Sequence, residues 1–259
     1  MAEALADRVA AVAAEAGAMA LARQQEGFER WEKAAGEPVC QVDLDADRLI
    51  RDRLSAIDPE AGWLSEETRD SPERLTRARL WVVDPIDGTR DYLRGRTGWA
   101  VSIALVADGQ PVIGVLAAPG RGEHWRAEAG KGAWRNGVPI RAAARAELAG
   151  ARVPADSLPR VDRDLVAVAK PNSIALRVAM VAAGEADLVA SVRWGHEWDV
   201  AAAALIAAEA GAAVSDALGR PLRFNSTSGE MFGVLASAPG IHAAALDRLR
   251  ARAEAAHPR

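Results

Sequence analysis

The 259-residue sequence predicts an α/β fold, a layered sandwich of sheets and helices. Three observations carry this. Two segments with helical spacing open the chain, a run of alternating strands joined by tight turns follows, and strand and helix alternate in the last third. Leu5, Val9, Val12, Ala16 and Met19 recur at helical spacing and predict an amphipathic first helix. A second helix is expected from Asp43 through Leu49, Ile50 and Leu54, with Lys33–Pro38 as a loop between them. Short apolar stretches at Ala61–Ser65 and Trp81–Val83 read as strands. From Trp99 the pattern is β: Ala100–Val106, a turn at Asp108-Gly109, Pro111–Ala117, His124–Ala127 and Val138–Arg141, with Asn136-Gly137 a hairpin signal. The polar, alanine-rich, proline-punctuated stretch from Arg141 to Asp164 reads as a lobe boundary, giving an N-terminal α+β lobe (1–145) and a C-terminal α/β lobe (146–259). Beyond it the expected order is Leu165–Val168 strand, Ser173–Ala183 helix, Asp187–Val192 strand, Asp199–Ala210 helix, Phe232–Ala236 strand and a final helix to about Ala255.

Composition removes several function classes. At 50% hydrophobic and 26% charged residues the chain has an ordinary globular balance. A formal net charge of -4 argues against binding a nucleic-acid polymer, which needs a basic face. One cysteine excludes an intramolecular disulfide and a cysteine-rich zinc site. The first residues, Met1–Asp7, lack a basic segment followed by an apolar core, and no apolar run spans a bilayer, so a cytoplasmic protein without membrane partners is expected.

The densest chemistry lies in Trp81-Val82-Val83-Asp84-Pro85-Ile86-Asp87-Gly88-Thr89. An apolar strand runs into two carboxylates, with a carbonyl between them and a glycine and hydroxyl after. Hard divalent cations take oxygen ligands, and Mg²⁺ keeps a few carboxylates, waters and a substrate phosphate. Gly88 lets the backbone approach an anion, and the Gly88 and Thr89 amides would face a phosphate if they open a helix. The plainer reading is a turn signalled by Asp-Gly, with Pro85 breaking the strand. Glu66-Glu67 follows another strand, although a solvated pair is the commoner situation. Asp199 precedes the apolar run Val200–Ala210, where it also suits a helix cap.

Other motifs fail. Asp43-Leu44-Asp45-Ala46-Asp47 resembles the start of a calcium loop but continues with Arg48 where glycine is needed and reaches Leu54 where glutamate is needed. Gly130-Lys131-Gly132 lacks P-loop spacing, and neither a Gly-x-Ser-x-Gly elbow nor a His-Glu-x-x-His helix occurs. Among four scattered histidines only His196, beside Asp199, merits attention as a substrate contact or a packed or capping residue. The eight tryptophans read mostly as core; Trp194 and Trp198 flank the Asp199 segment.

Ser65-Glu66-Glu67, Asp84-Pro85-Ile86-Asp87-Gly88-Thr89 and Trp198-Asp199-Val200-Ala201-Ala202, in that order and spacing, resemble the inositol monophosphatase superfamily of Mg²⁺-dependent, lithium-sensitive phosphatases over nearly the whole chain. The resemblance implies an alternating αβαβα sandwich of the sugar-phosphatase type with the metal site between the lobes. It implies Glu66, Asp84, the Ile86 carbonyl, Asp87 and Asp199 as ligands of two or three Mg²⁺ ions, and inhibition by Li⁺. Glu66 and Thr89 would activate the attacking water, with Asp43 in support. The family usually carries Val-Thr-x-x-Asp where this chain has Val39-Cys40-Gln41-Val42-Asp43, which alters the hydrogen bonding near Asp43; Lys33 matches a basic family position.

The resemblance makes the protein a phosphoric monoester hydrolase acting on a small phosphorylated metabolite without a phospho-enzyme. Substrate contacts would come from Asp87, Gly88, Thr89, His196 and Asp199. Asp87–Tyr92, the start of the Trp99 strand and Glu197–Asp199 look most like bacterial 3'(2'),5'-bisphosphate nucleotidases, which act on adenosine 3',5'-bisphosphate. Inositol phosphatases of the family carry a glutamate upstream of the last aspartate where this chain has Val192, which cannot bind a hydroxyl. Lys170 and Arg193 are candidates for a second phosphate, against the plain reading of solvated charges. An inositol-1-phosphate or other sugar-phosphate phosphatase is the alternative. A metal-binding regulator with a dead site is a further one, against which the intact ligand set speaks. A homodimer is compatible with the resemblance.

Overall fold

The computed structural model describes residues 4–26, 30–34 and 37–257. Its elements are α1 (Leu5–Glu26), β1 (Arg30–Ala34), β2 (Glu37–Cys40), α2 (Gln41–Ile57), β3 (Gly62–Ser65), β4 (Arg79–Asp87), α3 (Thr89–Leu93), β5 (Ala100–Ala107), β6 (Gln110–Ala118), β7 (Glu123–Glu128), β8 (Gly132–Arg135) and β9 (Val138–Pro139). Then come β10 (Arg152–Pro154), β11 (Val166–Val168), α4 (Ile174–Ala182), β12 (Leu188–His196), α5 (Ala201–Glu209), β13 (Ala213–Ser215), β14 (Glu230–Ser237) and α6 (His242–Ala256).

The central sheet has seven strands in sequential order from β3 to β9, with β3 parallel to β4 and every other pair antiparallel. Because side chains alternate across a strand, Trp81 and Val83 face α1 and α2 while Leu80 and Val82 face α4 and α5. Strand β5 divides likewise: Val101, Ile103 and Leu105 join the first cluster, Ala100, Ala104 and Val106 the second. Helix α5 is buried from Ala201 to Ala207, as an alanine-rich helix apolar on all sides must be. Gly114 of β6 permits its close approach, since a Cβ there would stand 2.5 Å from the Ala202 carbonyl oxygen. A second sheet, β12-β14-β13, packs Val189, Val234 and Ala236 against α4 and α5, and turns Leu188 and Leu235 toward Ile241, Ala245 and Leu249 at and in α6. The layers therefore run α1/α2, large sheet, α4/α5, small sheet, α6: an αβαβα sandwich, as expected.

Three local readings need correction. Residues 33–38, expected as a loop, belong largely to an antiparallel β1–β2 hairpin in which Trp31 pairs with Val39. The side chains of Lys33 and Cys40, and residues 35–36, lie outside the described residues. The helix expected from Asp199 is broken: Glu197–Asp199 is a 3₁₀ turn, Val200 adopts a non-helical conformation, and α5 starts at Ala201. Strand β12 runs on to His196, four residues past its expected end at Val192, with a bulge between Ser191 and Trp194. Both tight turns hold: Asp108-Gly109 and Asn136-Gly137 have positive φ throughout, which closes two-residue hairpins. No described helix is long and apolar enough to cross a membrane.

Candidate functional site

The expected site residues come from five chain segments: α2, the end of β3, the end of β4 with the start of α3, the stretch before α4, and the end of β12 with the turn after it. Glu66 follows β3, and its amide donates to the Val83 carbonyl of β4 at 3.3 Å. The turn that carries it is clamped from α2. Buried Asp47 accepts from the Ser65 hydroxyl and, at 2.6 Å, from the Thr68 hydroxyl. Asp84 and Asp87 lie at the end of β4, where the register to β5 slips between them, so that Asp84 faces Ser102 and Asp87 faces Ala100. Asp84 folds back to accept from the Ile86 amide at 3.0 Å. Gly88 follows with φ 98°, and a Cβ there would stand 2.8 Å from both the Gly98 carbonyl oxygen and the Ser173 amide nitrogen. Only glycine fits that turn. Thr89 opens the five-residue helix α3 and donates its hydroxyl to the Ile86 carbonyl at 3.1 Å.

Asp87 reaches the start of α4. It accepts from the Ser173 hydroxyl at 2.5 Å, the Ala175 amide at 2.7 Å and the Ile174 amide at 3.3 Å. Ser173 also caps α4, accepting from the Leu176 amide at 2.9 Å. Buried Asp91 of α3 accepts from the Asn172 amide, fastening α3 to the same segment. Asp199 closes the 3₁₀ turn and accepts from the His196 amide at 3.1 Å; it does not cap α5, whose N-cap Val200 makes no side-chain bond, so the expected helix-capping role falls to the turn instead. Glu197 beside it is fully buried and holds the Asn225 and Ser226 amides.

These groups are electrostatically one cluster. Burial pushes Asp84 well above the usual carboxylate range, and Glu66, Asp87, Asp199 and Asp43 push it further. Asp87 is raised by burial, against the opposing hydrogen bonds from Ser173 and Ala175. Asp199 is raised to about 7 by burial and by Asp87. Asp43 is buried on α2. Among the described residues, no three aspartates, glutamates, histidines or cysteines converge closely enough to hold one ion as they stand. Asp87 is drawn to the α4 terminus and Asp84 to its own turn. The donor set nonetheless fits a hard divalent cation by its chemistry: it is all oxygen and mutually repelling, with Asp84 and Asp87 buried and Glu66 and Asp199 half-buried at the cleft. To bind one, the carboxylates must draw together.

Asp87, Asp199, Glu66, Gly88 and Thr89 open into a cleft of about 850 Å³, walled by β12 and β14. Arg193 and His196 line it as well; His196 stacks on Trp198, with ring centroids 4.2 Å apart. Lys170 does not line it. It faces an adjoining cleft of about 410 Å³ and pairs with Asp156 at 2.6 Å. Arg177, which the sequence reading passed over, does line the main cleft; it is tethered to the Ser173 and Asn172 carbonyls and acts on Asp87 and Asp199. Its signal was available, as the one charge in the apolar helix Ile174–Ala182.

The inositol monophosphatase family profile matches residues 1–256. The chain belongs to this family. Known family members similar to it include a histidinol-phosphatase of Chlorobaculum parvum, 35% identical over 71% of this chain and 74% of that protein. A 3'(2'),5'-bisphosphate nucleotidase of Escherichia coli is 33% identical over 74% of this chain and 81% of that protein. Among solved structures, the Thermotoga maritima IMPase superposes with a TM-score of 0.84 at 27% identity, covering 97% of this chain and 98% of that one. Members with different named substrates thus stand at nearly equal distance.

Proposed function

We propose that this family member is a Mg²⁺-dependent phosphomonoesterase whose preferred substrates are 3'(2'),5'-bisphosphate nucleotides. The observation that carries the reading is the burial of Asp84 among Glu66, Asp87, Asp199 and Asp43, a concentration of negative charge that a divalent cation would balance. Glu66, Asp84, the Ile86 carbonyl, Asp87 and Asp199 would hold the metal. When bound, the metal supplies charge neutralisation for the phosphoryl oxygens and makes water a better nucleophile at neutral pH.

The chain's own groups do the rest. Glu66 accepts a proton from the attacking water. The Thr89 hydroxyl, fixed against Ile86, orients that water, and Asp43 supports the pair from α2. The Gly88 and Thr89 amides and the cleft guanidiniums hold phosphate oxygens. The water oxygen bonds to phosphorus as the ester oxygen leaves, taking its proton from solvent water.

For substrate choice, Arg193 and Arg177 in the cleft suit a second phosphate. Lys170, turned into the neighbouring cleft, is withdrawn from that role. Val192 lines the cleft where a polyol would need an acceptor, which favours a nucleotide over inositol-1-phosphate. The similarity to the Escherichia coli nucleotidase supports this choice, and the similarity to a histidinol-phosphatase supplies the second reading. The test is kcat/KM with Mg²⁺ on adenosine 3',5'-bisphosphate, adenosine 3'-monophosphate, inositol-1-phosphate, fructose-1,6-bisphosphate and histidinol phosphate. The bisphosphate should be preferred, with the margin over the monophosphate shrinking in high salt. Equal efficiency on the two nucleotides, or better turnover of a non-nucleotide, would overturn the substrate and leave the phosphatase standing.

A further inference from the structure

We propose that Trp194 is a stacking wall for the leaving group and selects phosphomonoesters whose alcohol carries a planar nitrogen heterocycle. The proposal rests on the phosphatase reading and specifies the part of the same cleft that would receive the leaving group.

Trp194 is 50% exposed. The other large hydrophobic side chains exposed among the described residues are Leu5, Leu75, Val138, Val161 and Val166, and none of them lines this cleft. A tryptophan so placed leaves a large apolar area in water, which is worth explaining where a single exposed valine is not.

The ring is also held in place. It packs at 60° to Phe232, with centroids 5.5 Å apart, and lies 5.6 Å from His257, whose ring meets Phe232 edge-on at 4.7 Å. Two neighbours therefore brace an indole that remains half exposed where β12 borders the cleft. The bulge in β12 falls between Ser191 and Trp194, and bulges beside sites redirect the side chains that follow them. Because of that slip Trp194 pairs with Phe232 while Arg193 enters the cleft beside it.

Ala190, Val192, Met231 and Val234 add apolar surface to the same cleft, beside the polar Ser191, Arg193 and His196. A polyol set against the indole would lose water from its hydroxyls without gaining partners from the ring. A flat heterocycle would cover the indole and lose little. The cleft volume of about 850 Å³ accommodates a nucleoside as readily as a smaller imidazolyl alcohol.

The test compares kcat/KM for adenosine 3',5'-bisphosphate, an imidazolyl-alkyl phosphate and glycerol 2-phosphate in wild type, Trp194→Ala and Trp194→Phe. The ratio of a heterocyclic substrate to glycerol 2-phosphate should fall about five- to hundredfold in Trp194→Ala, the range of one lost base–aromatic stack, and recover largely in Trp194→Phe. A fall confined to one of the two heterocycles supports the proposal and names the source. A ratio that stays the same for both heterocycles overturns it, as does failure of Trp194→Phe to recover what Trp194→Ala lost. Should wild type hydrolyse none of the three nor inositol-1-phosphate, the phosphatase reading fails separately, and fluorescence decides the wall. Quenching by adenosine that is present in wild type and lost in Trp194→Phe supports it; equal quenching in both overturns it.

Discussion

A carboxylate as deeply buried as Asp84 is costly to ionise, and its nearest charges make ionisation harder still. Glu66, Asp87, Asp199 and Asp43 can be balanced together only by positive charge, which is why the cluster reads as a cation site rather than as a stabilising feature of the fold. Thr89 has a different position. Its hydroxyl is fixed by the Ile86 carbonyl, so it is suited to orient water without carrying charge. Thr89→Ala should lower kcat by roughly a hundredfold while Mg²⁺ affinity measured by calorimetry stays close to wild type. A rise in KM with kcat unchanged would make Thr89 a substrate contact instead. Asp47 acts through the turn that it clamps: Asp47→Ala removes the acceptor of Ser65 and Thr68 and should cost about 1–3 kcal/mol in urea denaturation. A loss well below that would show that the Glu66 turn is held by its backbone alone.

At the level of elements, the site is a meeting of chain ends: the ends of β3 and β4, the first residues of α3 and α4, and the turn before α5. Ser173 joins two of them, capping α4 while donating to Asp87. Ser173→Ala should destabilise the protein by about 1–2 kcal/mol and, by freeing Asp87 from the α4 terminus, change Mg²⁺ affinity as well; a loss of stability with unchanged affinity would separate the cap from the site. Behind it, Gly114→Ala would drive a Cβ into the Ala202 carbonyl and should cost about 1–3 kcal/mol in thermal or chemical unfolding. Much of this architecture was legible because it is local. Helices α1 and α2 announce themselves by spacing, and Asp108-Gly109 and Asn136-Gly137 by the residues that positive φ demands. The β1–β2 hairpin was not, since Arg30–Ala34 and Glu37–Cys40 are charged and broken by proline, without the alternation that marks a strand. The break at Val200 was hidden in an unbroken apolar run. At the site, the carboxylates were readable as motifs, whereas Lys170 faces the neighbouring cleft because which way a side chain faces depends on tertiary packing that no short motif encodes; Arg177 was legible only as the one charge in an apolar helix, which by itself names no partner.

For the whole molecule the cluster is a pH-dependent load. The folded pKa of Asp199, about 7, lies above its ordinary 3.8. A raised carboxylate pKa contributes stability that is fully present below the unfolded pKa and lost as pH rises through the folded one. Asp84 and Asp87 shift in the same direction. Metal-stripped protein should therefore lose Tm as pH rises above about 4, Asp199 accounting for the part that ends near pH 7, and Asp199→Asn should flatten that part of the decline. If the site holds Mg²⁺ as proposed, the ion would take the ionised forms, so the Tm increase it produces should be larger at pH 8 than at pH 5; a larger increase at pH 5 would mean that the ion binds elsewhere. The central claim is that the buried carboxylates exist to hold a divalent cation for phosphate-ester hydrolysis. It is tested most directly by measuring phosphate release from adenosine 3',5'-bisphosphate and from inositol-1-phosphate while Mg²⁺ is titrated into metal-stripped wild type and Asp84→Asn, with circular dichroism on both. The account predicts saturable, Mg²⁺-dependent release in wild type on at least one substrate, and none in a fully folded Asp84→Asn. Release that persists without Mg²⁺, or near-normal turnover in Asp84→Asn, would contradict it.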